Sequence, residues 1–109
     1  MPSLDHIIEF YGETCPHCIA LRPVVEDLEK ELGKSIQKKE VWNNEANKKL
    51  MMKYEDIIGE ACGGFAAVPA IVNTKTNQAL CGMHDKADIK NLIEGGDCAN
   101  NTCKPHSKL

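Results

Sequence analysis

Cys15-Pro16-His17-Cys18 lies between the apolar run Ile7, Ile8, Phe10, Tyr11 and a stretch where Leu21, Val24, Val25, Leu28 and Leu32 recur at helical spacing. No other feature constrains the fold as much. A short buried strand has to turn through Gly12-Glu13-Thr14 into a helix that opens at the first cysteine. Two cysteines with two residues between them can close a small disulfide ring when a helix begins at the first. A thiol in that position also faces unpaired backbone N–H groups and the positive end of the helix dipole, and both favour the thiolate. The alternatives are an inert disulfide or half of a zinc site.

Glu9 sits inside the apolar strand, where a carboxylate needs an explanation. Gly33 is a C-terminal stop for the first helix, and Pro23 inside that helix should kink it. Residues 35–42 alternate weakly and predict an edge strand with Val41 and Trp42 anchoring its end. Asn43 or Asn44 then caps a second helix, in which Ala46, Leu50, Met51, Tyr54, Ile57, Ile58 and Ala61 form one apolar face over roughly four to five turns. Cys62-Gly63-Gly64-Phe65 breaks it. Val68-Pro69 leads into the strand Ala70-Ile71-Val72-Asn73, and a polar loop at 74–78 returns the chain as Ala79-Leu80-Cys81-Gly82. Asp85 caps a last helix through Ala87, Ile89, Leu92 and Ile93 that stops at Gly95-Gly96. The order is strand–helix–strand–helix–strand–strand–helix, an α/β fold with a four-stranded mixed sheet over residues 1–96, followed by a cysteine-containing tail at 97–109.

At 109 residues the chain predicts one domain with a modest, mainly aliphatic core. The net charge of −3 argues against nucleic acid or an anionic membrane as partner. Arg22 is the sole arginine, and the lysines are expected on solvated faces. No apolar run approaches the ~20 residues that span a bilayer, and no signal peptide is visible, which points to the cytoplasm. Six cysteines in so short a chain pull the other way, toward an oxidising compartment or a metal site.

This order, with a C-x-x-C opening the first helix and Val68-Pro69 before the third strand, resembles the thioredoxin superfamily in the minimal form of the glutaredoxins. Glu9, six residues before Cys15, matches the family's buried acid, and Pro23, five after Cys18, matches its kink proline. Val68-Pro69 matches the cis-proline dipeptide that faces the active site, and Glu9-Phe10-Tyr11 before Cys-Pro-His-Cys is most similar to DsbA-type oxidases. The resemblance implies a thiol–disulfide oxidoreductase acting on protein disulfides, with Cys15 as exposed attacking thiolate and Cys18, more buried, as resolving thiol. His17 would stabilise the thiolate and tilt the pair toward oxidation, and Pro16 would fix the loop. Buried Glu9 would exchange Cys18's proton through a water, the alternative being a carboxylate turned out at the strand edge. Pro69 would be cis, leaving the backbone beside Val68 free to pair with an extended substrate. Trp42, Phe65 and Tyr11 are assigned to core packing, the alternative being that they line the approach.

No organic cofactor and no resident metal is expected. A reductase, glutathione or an oxidase partner has to reset the pair, and the chain is expected to be a monomer. Cys81 stands where glutaredoxins carry the first glycine of a Gly-Gly…Asp segment that holds glutathione, so Gly82 and Asp85 match that segment only in part. A glutathione-dependent glutaredoxin and a metal or iron–sulfur carrier are therefore the alternatives. Cys62, Cys81, Cys98 and Cys103 are free buried thiols, metal ligands or disulfide-bonded in one of three pairings, including a tail loop closed by Cys98 and Cys103 or a tail bridged back to Cys62 or Cys81. Cys62 could also relay electrons to the active pair. Asn100 with Thr102 fits a glycosylation acceptor, and Ser107-Lys108-Leu109 a peroxisomal address, both being short motifs that arise by chance. His6, His84 and His106 share no spacing and are expected to be solvated.

Overall fold

A computed structural model describes residues 3–94. The elements run β1 (Ser3–Tyr11), α1 (Pro16–Leu32), β2 (Ser35–Glu40), α2 (Glu45–Met52), α3 (Glu55–Cys62), β3 (Ala70–Asn73), β4 (Gln78–Cys81) and α4 (Lys86–Glu94). The four strands form one mixed sheet in the order β2-β1-β3-β4, with β1 parallel to β2 and antiparallel to β3, and β3 antiparallel to β4. Strand β2 is at the edge, as its weak alternation predicts.

Central β1 is buried on both faces, and its period of two sorts its side chains between two cores. Ile7 meets Leu21, Val25 and Leu28 of α1, Ile71, Leu80, and Ile89 and Leu92 of α4. Ile8 and Phe10 point the other way, to Val41, Met51, Ile58, Val72 and Ala79. Leu4 shares the face of Ile7 despite its odd separation, because the ladder to β2 shifts register between Leu4 and Ile8. Glu9 has the parity of Ile7 and therefore belongs to the face that α1 covers.

Local signals account for most helix ends. Gly33 closes α1 in the left-handed conformation (φ 66°), its N–H donating to the Glu29 carbonyl. The Asn44 side chain caps α2, accepting from the Asn47 N–H, and Asp85 caps α4 by accepting from the Asp88 N–H at 3.0 Å. Pro23 lies within a helix that continues past it.

The single long helix expected through Ala61 is in fact two. At Lys53 and Tyr54 the chain tightens, the two amides donating to the carbonyls of Leu50 and Met51, and α3 restarts at Glu55. No proline or glycine marks the break. It lets Met51 and Ile58 bury against the same core, while Tyr54 packs on Phe10 with ring centroids 6.5 Å apart. At the end of α3, a Cβ on Gly59 would lie 3.2 Å from the Gly64 carbonyl, so the chain folds back closely there.

Asn73 organises the β3–β4 turn. Its Oδ1 accepts from the N–H groups of Lys75 and Thr76, and its amide donates to the Leu92 carbonyl, docking α4. His84, expected to be solvated, is half-buried with Nδ1 3.0 Å from Asp88 and Nε2 3.0 Å from the Cys81 carbonyl. Among the described residues no helix is long and apolar enough to cross a membrane. Cys98, Cys103, Asn100, Ser107-Lys108-Leu109 and the stop at Gly95-Gly96 lie outside the described residues, as does the proposed tail unit.

Candidate active site

Strand register gathers the sequence-predicted residues at one end of the sheet. Tyr11 is opposite Glu40 of β2, Phe10 is opposite Ala70 of β3, and Ala70 is opposite Cys81 of β4. The turn to Cys15, the Val41-Trp42 segment, Val68-Pro69 and Cys81-Gly82 therefore all leave the sheet at the same edge.

Cys15 is the N-cap of α1, with Pro16 beginning the helix. Its Sγ accepts a hydrogen bond from the Cys18 N–H at 3.1 Å, and Cys18 Sγ accepts one from the Gly12 N–H at 3.5 Å. Both cysteines are free thiols. Cys15, expected to be exposed, is only 4% exposed, because its sulfur turns in toward the first-turn amide. Cys18 is 2% exposed, and its thiol is pushed up to about 12. Burial is the main cause, followed by the hydrogen bond with Cys15, while the Gly12 N–H acts in the opposite direction. His17 is exposed and makes no hydrogen bond to either sulfur among the described residues.

Glu9 is buried, not turned out at the strand edge. Desolvation lifts its carboxyl from the usual 4.5 to about 7, Glu29 adds to the rise, and Lys38 and Arg22 oppose it. Glu9, Tyr11, Cys18, Arg22 and Lys38 line one cavity of about 260 Å³. That volume admits water, and the Glu9 carboxyl and the Cys18 thiol share it. Below its raised pKa Glu9 is a neutral acid, and above it a base, both within the neutral range.

The peptide bond Val68–Pro69 is cis. The Pro69 carbonyl accepts from the Gly82 N–H at 2.8 Å, and Gly82 adopts φ 82°, a conformation glycine tolerates best. Within the described residues no hydrogen bond engages the Val68 N–H, which is left open beside Pro69. Beyond Val68-Pro69, Cys62 and Cys81 form a disulfide across 19 positions, tying the end of α3 to β4 around the segment that carries the proline. This excludes a bridge from the tail to either cysteine in this state. Trp42 and Phe65, assigned to the core, are instead 53% and 83% exposed. The indole lies over Gly12, where a Cβ would meet it at 2.3 Å.

Sequence reasoning missed four residues. Glu40 holds the turn before Cys15: its carboxylate accepts from the N–H groups of Glu13 at 2.9 Å, Trp42 at 3.1 Å and Asn43 at 2.8 Å. Desolvation works against it, but these three N–H groups hold its carboxyl below the usual range. Lys38, Arg22 and Glu29 surround Glu9. Pairing Glu9 with Lys38 across two strands needs the register, which no local pattern reveals.

Cysteines at a helix start, an acid beneath them and a cis-proline at the same sheet edge define a thioredoxin-fold redox protein. The chain belongs to the thioredoxin family, whose family model matches residues 2–94. It is similar in fold to the crystal structure of a glutaredoxin from Archaeoglobus fulgidus, at 22% identity and a TM-score of 0.53 over 84% of this chain and 88% of that one. No curated protein matches it significantly.

Proposed function

We propose that the chain is a thiol–disulfide oxidoreductase acting on protein disulfides, with Cys15 as nucleophile and Cys18 as resolving thiol. The observation that carries this reading is the cavity shared by Cys18 and a Glu9 poised at about 7. In the reducing direction the Cys15 thiolate attacks a substrate disulfide, forming a mixed disulfide and releasing one substrate thiolate. Cys18 gives its proton to Glu9 through water and attacks Cys15 Sγ. The Cys15–Cys18 disulfide forms, the second substrate thiolate leaves, and two electrons have passed to the substrate. The oxidising direction is the reverse, with Glu9 returning the proton.

The other residues have supporting roles. The Cys18 N–H and the start of α1 stabilise the Cys15 thiolate. His17, exposed and without a hydrogen bond to either sulfur among the described residues, tilts the pair toward oxidation through the surrounding solvent rather than through contact, and Pro16 sets the loop. Val68 offers its free N–H to an extended substrate backbone while Pro69 shapes the approach. Trp42, exposed and lying over Gly12 before Cys15, gives that substrate an apolar border. A reductase, an oxidase or glutathione resets the pair.

Cys15→Ser should abolish insulin reduction and RNase oxidation, and Cys18→Ser should trap the mixed disulfide; full activity of Cys15→Ser would end this reading. Turnover of hydroxyethyl disulfide only with glutathione would favour the glutaredoxin alternative. The metal-carrier alternative requires thiolates that Cys62 and Cys81, bonded to each other, do not offer in this state. Metal bound by protein purified without oxygen would revive it.

A further inference from the structure

Glu9 and Lys38 are direct partners across the β1–β2 ladder and line the same cavity as Cys18. An acid and a lysine placed in this way would ordinarily pair. Among the described residues no ion pair joins them. The Lys38 ammonium instead lies 2.6 Å from Glu29 Oε2 and 3.4 Å from the Ile36 carbonyl. Glu29 is itself fixed: it is buried on α1, and the same oxygen accepts the Ile36 N–H at 2.8 Å. The lysine is thus tied to a carboxyl that is anchored to the backbone of the lysine's own strand.

We propose that Glu29 is a positioning residue that holds the Lys38 ammonium on its own carboxyl, keeping that cation off Glu9 and leaving Glu9 free to take up the proton of Cys18. This rests on the reading of Glu9 as the proton acceptor for Cys18. A cation within about 4–6 Å lowers a carboxyl by one to three pH units, enough to make Glu9 a permanent carboxylate too weakly basic for the transfer. The groups facing Glu9 are Cys18, Arg22 and Glu29 from α1, Lys38 from β2, and Tyr11 from its own strand. Arg22 and Lys38 are both exposed, and Lys38 is the cation whose position matters because it is the ladder partner of Glu9 and opposes the rise of its carboxyl more than Arg22 does. The directions agree: burial raises Glu9 most, Lys38 lowers it, and Glu29 raises it.

The test is a double-mutant cycle read by carbon-13 NMR of the Glu9 carboxyl, in the full chain with Cys62–Cys81 intact. The four proteins are wild type, Glu29→Gln, Lys38→Met and the double variant. Glutamine at 29 keeps an oxygen for the Ile36 N–H. With Lys38 present, Glu29→Gln should lower the Glu9 midpoint by about one pH unit or more; in the Lys38→Met background the drop should be less than half as large. An equal drop in both backgrounds would reduce the effect to lost repulsion and overturn the proposal, as would no drop at all. Should Glu29→Gln fail to fold, Glu29→Asp replaces it: the shorter side chain withdraws from Lys38 but keeps its charge. The Glu9 midpoint should then fall with Lys38 present and stay unchanged in the Lys38→Met background, and no fall with Lys38 present would overturn the proposal. A merely structural Glu29 would lower the melting temperature without moving the midpoint. The carboxyl titration reports on the tether whether or not Glu9 serves Cys18. Failure of that underlying reading would appear separately, as a Glu9→Gln variant whose Cys18 resolves a mixed disulfide at the wild-type rate.

Discussion

Glu9→Gln removes a charge that the fold accommodates poorly while keeping the size of the side chain. In the folded protein the carboxyl binds its proton up to about pH 7, whereas in the unfolded chain it releases it near 4.5. A carboxyl with a raised folded pKa favours the folded state at low pH. That advantage is lost as pH rises from the unfolded value through the folded one. At about 1.4 kcal/mol per pH unit, the full penalty above pH 7 is on the order of 3 kcal/mol. Because Glu9 is almost fully buried, solvent screening removes little of it. Glu9→Gln should therefore match wild type in stability near pH 4 and exceed it by about 2–3 kcal/mol at pH 8.5. Urea unfolding from pH 4 to 8.5 measures this, preferably in a Cys15→Ala background that keeps Cys18 a thiol and Cys62–Cys81 closed. The same substitution should slow the attack of Cys18 on a mixed disulfide at neutral pH. A stability difference that stays constant across the pH range would refute the burial argument, and with it the proton-transfer role.

The remaining expectations concern the frame of the site. Replacing both Cys62 and Cys81 by serine should cost about 3 kcal/mol in urea unfolding, the loss expected for a loop of this length; an unchanged midpoint would show that the loop is held without the bond. Gly12→Ala must displace the chain's only tryptophan, since a Cβ there would lie 2.3 Å from the Trp42 ring. Its fluorescence should shift to the red and thiol exchange should slow. Glu40→Gln weakens the acceptor of three N–H groups before Cys15 and should slow exchange with little effect on melting. Because the Glu40 carboxyl is held below its usual range, wild type should lose this support only as pH falls through that lowered value, and the rate difference should narrow there.

Local chemistry in the chain is enough to place most elements. Cys15 and Pro16 open a helix, Gly33 ends it with its N–H on a carbonyl four residues back, and Asn44 and Asp85 cap two more by accepting from amides three residues on. The break at Lys53-Tyr54 was hidden because no breaker residue sits there; the shape of the core that receives Met51, Tyr54 and Ile58 creates it. Trp42 and Phe65 look like core residues because they are large and apolar, but both lie in connecting segments, after β2 and after α3, that leave them exposed. The sequence makes the position of Cys15 legible but not its rotamer, and the rotamer is what buries its sulfur.

The sequence by itself determined the cysteine pair at a helix start, the acid six residues before it and the proline that precedes β3, since each depends on spacing along the chain. Tertiary structure alone decided what surrounds them. It chose Cys62–Cys81 among the pairings open to four cysteines. It set Lys38 opposite Glu9 and then tied it to Glu29, and it enclosed Glu9 with Cys18 in one cavity. These relations join residues from different elements, so they follow from strand register and helix packing rather than from any local pattern. Burial then gives Glu9 a pKa that its identity as a glutamate does not.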